Sequence, residues 1–115
     1  MNILILEDNK ERIAYFSNLR SEHSVTITEF AHEAIRLLKE NKWDILMLDH
    51  DLGGQEMVPS GPGTGYEVAD FLSKNEHLKP ERIIIHSFNG PGSQNMKAAL
   101  PEAEWIPGIW LKFKI

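Results

Sequence analysis

The sequence predicts an α/β fold in which five parallel strands form a doubly wound sheet with helices on both faces. Three observations support this prediction. Short apolar runs recur along the chain, segments with helical spacing separate them, and polar residues directly follow the apolar runs. Alternating strands and helices imply right-handed crossovers and a parallel sheet. We expect a single domain over residues 1–115, because this is the length of one ordinary domain.

Five segments of the chain have the composition of β-strands. Buried parallel strands are continuous apolar runs, whereas a strand nearer the sheet edge alternates apolar with polar residues. The predicted strands, in chain order, are residues 2–6, 25–30, 44–48, 82–85 and 105–106. Residues 109–115 also alternate in a strand-like way.

Four segments between these strands have helical patterns. The first three place apolar residues at helical spacing, and the fourth follows a serine that can cap a helix. The predicted helices run from a cap at Asp8 or Asn9 to about Arg20, from Ala31 to Asn41, from Tyr66 to Asn75 and from a cap at Ser93 to about Leu100. The rest of the chain leaves no room for a fifth full helix. We therefore expect the final helix, which would follow the fifth strand, to be missing.

Composition and charge narrow the classes of protein to which the chain can belong. It has 17 acidic and 12 basic residues, a formal charge of −5, which argues against broad adhesion to nucleic acid or anionic membrane. It has no cysteine, and so neither a disulfide framework nor a thiolate metal site. No apolar stretch approaches membrane-spanning length, and the N-terminus lacks the features of a signal peptide. We expect a soluble cytoplasmic protein with no membrane partner.

Acidic residues directly follow two of the predicted strands. Glu7 and Asp8 end the first apolar run, and Asp49 and Asp51 end the third. The C-terminal ends of the strands of an open α/β sheet meet at one crevice, where ligands bind. Carboxylates brought together there are unfavourable without a cation, and their oxygen ligands suit Mg²⁺. The sequence therefore predicts a metal site at this edge of the sheet.

These residues resemble those of the response-regulator receiver domain. That family has an acidic pair after the first strand, a phosphate-accepting aspartate after the third, and a serine or threonine after the fourth. Here Glu7-Asp8 matches the pair, Asp49 matches the acceptor and Ser87 matches the hydroxyl residue. The segment Thr64–Glu67 is similar to the start of the family's third helix.

The resemblance covers roughly residues 1–90 and implies a flavodoxin-like receiver fold. It also implies that Asp49 accepts a phosphoryl group and that Ser87 donates a hydrogen bond to a phosphoryl oxygen. The metal, Mg²⁺ or Mn²⁺, neutralises the phosphoryl group that is transferred. The implied metal ligands are Glu7, Asp8, Asp49 and the backbone carbonyl of Asp51.

The chain also departs from the receiver pattern. Receivers carry a lysine at the end of the fifth strand, usually followed by proline, whereas Trp105-Ile106-Pro107 occupies the corresponding place here. Lys112-Phe113 resembles that motif only weakly. The segment between Asp49 and Gly65 is longer than usual and rich in glycine, and we expect it to be a surface loop.

Additional polar residues support a narrower resemblance. The segment Leu48–Leu52, with His86, Ser87 and Asn89, is similar to the cyclic-phosphate processing receiver domain family. That resemblance implies a phosphoesterase acting on a phosphorylated small molecule or on a cyclic or terminal phosphate of an RNA end. Asp49 or a water activated by the metal attacks phosphorus, and a histidine protonates the leaving oxygen. The predicted catalytic residues are Asp49, His50, His86, Ser87 and Asn89.

Simpler structural roles remain open for several of these residues. Glu7 and Asp8 could form a helix cap, and Asp51 could belong to an ordinary turn. His50 directly follows Asp49, so strand alternation would send its side chain to the opposite face unless the backbone turns there. A packed structural role is as well supported as a catalytic role for both histidines.

Two other functions remain open from the sequence. A receiver phosphorylated on Asp49 could signal by binding a protein partner, although the missing lysine argues against normal switching. Glu7 and Asp49-x-Asp51 are also similar to the Toprim pattern of metal-dependent nucleases, which leaves Ser87 and Asp8 unexplained. The sequence makes no prediction of the oligomeric state.

Overall fold

The strands form one sheet in the computed structural model, which describes residues 1–111. They are β1 (Asn2–Leu6), β2 (Ser24–Thr28), β3 (Ile45–Leu48), β4 (Arg82–Ile85) and β5 (Glu104–Trp105). Neighbouring strands pair in the order β2-β1-β3-β4-β5, and every pair is parallel. The predicted doubly wound α/β fold is confirmed.

Helices connect the strands in the described part of the chain. The α-helices are α1 (Lys10–Ser17), α2 (Ala31–Glu40), α3 (Gly65–Ser73) and α4 (Gly90–Ala99). Short 3₁₀ helices span Asn18–Ser21, Glu76–Leu78 and Ile109–Leu111. Within residues 1–111 no α-helix follows β5, as the sequence predicted.

Both faces of the sheet are covered, which explains why the central strands are apolar throughout. Because side chains alternate across a strand, each central strand contributes to two cores. Leu4 and Leu46 pack with residues of α2, α3 and α4 in one core. Ile5 and Met47 pack with Phe16 of α1 in the other core. The position of a residue along its strand therefore determines which helices it faces.

The start of α4 differs from the sequence prediction. Its N-cap is Asn89, whose Oδ1 atom accepts a hydrogen bond from Gly92 N at 2.9 Å. Pro91 lies in the first turn, where its missing N–H leaves no carbonyl unpaired. The predicted cap Ser93 is instead a buried residue inside the helix.

Several other element boundaries differ from the prediction by one to three residues, and near the C-terminus the type of element differs. β2 ends at Thr28, because Phe30 is already the N-cap residue of α2. The strand-like pattern near the C-terminus was wrong for residues 109–111, which form a 3₁₀ helix. The weak Lys112-Phe113 motif lies outside the described residues. No helix in the described chain combines the length and the apolar character needed to cross a membrane.

Candidate functional site

Three buried polar residues lie side by side where β1, β3 and β4 end. Glu7, Asp49 and His86 directly follow these strands. The strands remain in register there, because Asp49 N donates to Leu6 O at 3.1 Å and His86 N donates to Leu48 O at 3.0 Å. Because side chains alternate along a strand, all three side chains lie on the face of the sheet that packs against α1. Sheet register therefore brings together residues from distant parts of the chain.

The side chains of Glu7, Asp49 and His86 form a compact cluster. One possible ligand atom from each lies within 4.8 Å of the others. His86 Nε2 is 3.1 Å from Glu7 Oε1, while Glu7 Oε2 accepts hydrogen bonds from the backbone N–H groups of Asp8 and Asn9. His86 Nδ1 is buried and has no hydrogen-bond partner among the described residues.

Burial shifts the pKa values of all three groups. Burial, and after it the charge of Glu7, raises the pKa of Asp49 to about 7. Burial also raises the pKa of Glu7 above its ordinary value, and it lowers the pKa of His86 to about 4. Near neutral pH the imidazole is therefore uncharged, and its contact with Glu7 is a hydrogen bond and not an ion pair. The two neighbouring carboxyl groups resist simultaneous ionisation unless they hold a proton or a cation.

Arg12 brings a positive charge to this cluster and was not among the residues predicted from the sequence. Its Nη1 atom lies 3.6 Å from Glu7 Oε1 and 3.8 Å from Asp49 Oδ2. The guanidinium carbon is 4.7 Å from the centroid of the Trp110 ring. The sequence held one signal, because Arg12 falls in the first turn of α1, where the helix dipole disfavours a cation.

A cavity of about 410 Å³ lies at this edge of the sheet, bounded by the strand ends and by the loop that follows β3. Five of the predicted site residues line it. These are Asp8, Asp49, Asp51, Ser87 and Asn89. The other predicted residues, Glu7, His50 and His86, are fully buried and do not line the cavity.

Asp8 and Asp51 line the cavity, but their carboxylates bind the loop after β3. Asp8 Oδ2 accepts a hydrogen bond from Gly54 N at 2.7 Å, and Asp51 Oδ2 accepts one from Met57 N at 2.7 Å. Burial acts to raise the pKa of Asp51, but hydrogen bonds to its carboxylate outweigh burial and lower that pKa below its ordinary value. The two acids attach the glycine-rich loop to the end of the sheet.

His50 lies on the opposite side of the sheet end from the cluster. Its Nδ1 atom is 2.8 Å from Asp51 Oδ1, and its Nε2 atom is 2.9 Å from Ser60 Oγ. The ring is buried against α4, where a Cβ atom added at Gly92 would lie 2.6 Å from ring atoms. These contacts support the packed structural role that strand alternation left open for His50.

Asn89 connects the site loop to the start of α4. Its Nδ2 atom donates to Asp51 Oδ1 at 2.9 Å and to Val58 O at 3.0 Å, while its Oδ1 atom caps the helix. Ser87 Oγ accepts a hydrogen bond from Asn89 N at 3.0 Å, so its hydroxyl hydrogen can be donated to a ligand. Ser87 therefore has the position expected of a phosphate-binding hydroxyl, and its role stays a prediction.

The surroundings of Gly65 explain why the Thr64–Glu67 segment contains a glycine at this position. A Cβ atom at Gly65 would lie 1.8 Å from Asp49 O, so no other residue fits here without moving the backbone. Gly65 N also donates to His50 O at 2.9 Å. Helix α3 thus begins in direct contact with the residues that end β3, which holds Asp49 in place.

The sheet order and the acidic strand ends define a domain of the response-regulator receiver class. Its fold is similar to that of the phosphorylated cyanobacterial phytochrome response regulator RcpA, with a TM-score of 0.75 and 18% identity over 96% of this chain and 84% of that one. The Mn²⁺-bound response regulator Rcp1 matches with a TM-score of 0.71 and 16% identity over 92% and 79%. TrrA from Thermotoga maritima, in complex with Mg²⁺-BeF, matches with a TM-score of 0.68 and 21% identity over 92% of this chain and 84% of that one.

Within that class, the chain belongs to the cyclic-phosphate processing receiver domain family, whose sequence profile matches residues 2–102. No curated protein matches the sequence closely enough to count as a relative. Membership of this family confirms the narrower resemblance and leaves the Toprim alternative without support. The individual roles of the site residues stay predictions.

Proposed function

We propose that this domain is a phosphoesterase that depends on a divalent metal and acts on cyclic or terminal phosphates. The observation that carries the proposal is the buried cluster of Glu7, Asp49 and His86 beside a cavity lined by Ser87. A fold gains no stability from two touching acids whose pKa values are raised by burial. Such groups are typical of sites that bind cations or transfer protons.

The donor atoms present fit Mg²⁺ or Mn²⁺. Glu7 and Asp49 offer buried carboxylate oxygens that a cation would stabilise in the ionised form. The proposed ligands are the carboxylates of Glu7, Asp8 and Asp49 and the backbone carbonyl of Asp51. A bound ion supplies Lewis-acid stabilisation of the negative charge on a phosphoryl group. The Mn²⁺ and Mg²⁺ in the solved Rcp1 and TrrA structures support this choice of metal.

Asp49 is the proposed proton-transfer group. As water attacks phosphorus and the ester P–O bond breaks, the Asp49 carboxylate accepts a proton from that water, and solvent protonates the leaving oxygen. Ser87 donates its hydroxyl hydrogen to a phosphoryl oxygen. His86 does not line the cavity, so we assign it the task of positioning Glu7 through their hydrogen bond. His50 and Asn89 position the loop through Asp51.

The proposed substrates are phosphorylated small molecules or the phosphate at an RNA end. The chain's net charge of −5 disfavours broad contact with a nucleic acid backbone, so a terminal group suits the cavity better than an internal stretch. The proposal requires no protein partner for turnover.

The test is hydrolysis of a nucleoside 2′,3′-cyclic phosphate with Mg²⁺ or Mn²⁺. We expect the wild type to open the cyclic phosphate and Asp49→Asn to lose at least about 100-fold in rate, because the variant cannot accept a proton. Asp70→Asn is a matched control, since Asp70 is a half-buried acid of α3 that pairs with Lys74 and does not line the cavity. Folded wild type without turnover on cyclic and terminal phosphates would overturn the proposal.

A second candidate function is signalling through phosphorylation of Asp49 and binding of a protein partner. The observation that favours it is Asp49 at the end of β3, lining one cavity with Ser87 in a receiver fold. Incubation with a small acyl-phosphate donor and Mg²⁺ distinguishes the two functions. A stable population of phosphorylated Asp49 without turnover of phosphate esters favours signalling. Ester turnover without such a population favours the phosphoesterase.

A further inference from the structure

The cavity wall has a charge imbalance that a phosphate ligand would have to overcome. Four of its lining residues are acidic, namely Asp8, Asp49, Asp51 and Glu56. Within the described chain, Arg12 is the one basic residue on the wall. β5 contributes no cation to the cavity, because it ends at Trp105, whose Nε1 atom donates to Ser87 O. Among the described residues of the wall, Arg12 therefore supplies the one positively charged side chain that can attract a phosphate group.

The backbone of Arg12 is fixed by the start of α1. Arg12 N donates to the side chain of the N-cap residue Asn9 at 3.1 Å. Helical side chains point back towards the N-terminus, which directs this one to the end of β1. Its guanidinium thereby reaches the cavity while the side chain remains 23% exposed.

No side-chain N–H group of Arg12 donates a hydrogen bond to another residue within residues 1–111, which leaves these donors for a ligand. Its closest carboxylate oxygens, on Glu7 and Asp49, are 3.6 and 3.8 Å away, beyond the range of a hydrogen bond. The two acids therefore attract the guanidinium without occupying its N–H groups. Aromatic rings support it, because its central carbon lies 4.7 Å from the Trp110 ring centroid and 5.9 Å from that of Phe88.

We propose that Arg12 is a phosphate-binding residue of this site, in addition to Ser87, and donates two parallel hydrogen bonds to unesterified phosphate oxygens. The planar guanidinium matches a phosphate group with two such oxygens on one phosphorus, which an ammonium cannot do in the same way. Arg12 also competes with a divalent cation, because its charge lies next to the same two carboxylates. The inference rests on the proposed function for the identity of the ligand as a phosphate.

The opposing effects of Arg12 on phosphate and on metal supply the test. Binding of inorganic phosphate is measured by phosphorus NMR, with and without Mg²⁺, and binding of Mn²⁺ alone is measured by electron paramagnetic resonance. We expect Arg12→Gln to weaken phosphate binding roughly 10- to 100-fold and to strengthen Mn²⁺ binding several-fold. Arg12→Lys should bind Mn²⁺ as weakly as the wild type does, because lysine keeps the positive charge. It should lose most of the phosphate affinity, because lysine lacks the planar guanidinium with its paired N–H donors.

Arg20→Gln is the matched control, since Arg20 is exposed just after α1 and contacts Ser17. It should leave both affinities unchanged. Phosphate binding that is equal in wild type and both Arg12 variants would overturn the proposal, as would parallel loss of phosphate and Mn²⁺ binding in a variant. If Arg12→Gln does not fold, the comparison of wild type with Arg12→Lys decides. Turnover plays no part in these measurements, so an inactive wild type that binds phosphate through Arg12 refutes only the phosphoesterase.

Discussion

Asp49 and Asp51 are two residues apart, yet the structure gives them opposite electrostatic environments. Burial next to Glu7 raises the pKa of Asp49 to about 7. Asp51 is also subject to burial, but hydrogen bonds to its carboxylate outweigh burial and lower its pKa. The α1 side of the sheet end therefore holds acids that are poorly stabilised as anions. On the α4 side, hydrogen bonds stabilise the negative charge of Asp51.

This difference separates polar residues that satisfy one another from polar residues that do not. On the α4 side, His50, Asp51, Ser60 and Asn89 bond one another and fix the loop. On the α1 side, Arg12 lies beyond hydrogen-bond distance of its partners, and the cluster has unused capacity for a ligand. Polar groups that satisfy one another stabilise a fold, whereas unsatisfied buried groups indicate a functional site.

The largest expected effect on stability comes from Gly92→Ala, which disrupts the packing of α4 against His50. An alanine in a helix normally stabilises, but here its Cβ atom would lie 2.6 Å from the buried His50 ring. We expect a loss of roughly 2 to 4 kcal/mol in the free energy of unfolding, measured by urea denaturation. Gly90→Ala is the control, because a Cβ atom at Gly90 meets nothing within 4 Å. Equal stability of the two variants would contradict the packing described for His50.

A smaller effect of opposite sign is expected on the α1 side. Asp49→Asn removes an acid that the fold holds unfavourably as an anion, so the variant should be more stable than wild type without metal. We expect a gain of roughly 1 to 3 kcal/mol at about pH 8, measured by urea denaturation in the presence of a chelator. A variant that is less stable than wild type at that pH would show that the ionised carboxylate stabilises the fold.

The pH dependence of that gain follows from the sign of the shift. The folded-state pKa of Asp49 is about 7, and the unfolded value is 3.8, so the folded state binds more protons between these values. Stability from this group is therefore lost as pH rises from about 4 to about 7. His86 acts oppositely, because its folded-state pKa of about 4 lies below 6.5, and its contribution is lost as pH falls through this window. The difference between wild type and Asp49→Asn should accordingly shrink towards zero on acidification.

The smallest expected effect on the free energy of unfolding is the difference between substitutions at the two asparagine helix caps. Asn9 and Asn89 both cap helices, but Asn89 also donates to Asp51 and to Val58 O. We expect Asn9→Ala to cost about 1 kcal/mol and Asn89→Ala to cost about 2 kcal/mol, because the second also leaves partly buried acceptors unpaired. Thermal or urea unfolding measures both. Equal losses would mean that the contacts of Asn89 beyond the cap contribute nothing to stability.

Much of the fold could be predicted because it depends on local patterns. Apolar runs such as Ile45–Leu48 require burial on both faces, and this alone predicts a central parallel strand. The positions of Glu7, Asp49 and Ser87 after such runs placed them at one edge of the sheet. The start of α4 was missed because Asn89-Gly90-Pro91-Gly92 also has the composition of a turn, although an asparagine cap with proline in the first turn equally indicates a helix start.

The internal arrangement of the site could not be predicted because it depends on sheet register and side-chain reach. The sequence does not state that Glu7, Asp49 and His86 occupy the same level of neighbouring strands, and so share a face. Arg12 reaches the cluster from the first turn of α1, whose start is capped by Asn9. Such long-range geometry has no counterpart in spacing or periodicity.

The central claim is the proposal that Glu7, Asp8 and Asp49, with the backbone carbonyl of Asp51, hold a divalent cation. The most direct test is titration of wild type and Asp49→Asn with Mn²⁺, followed by electron paramagnetic resonance at a pH above the pKa of Asp49. We predict that wild type binds a single ion and that the variant loses at least about 10-fold in affinity, since it lacks a charged ligand. Absence of binding in wild type, or equal binding in the folded variant, would contradict the account.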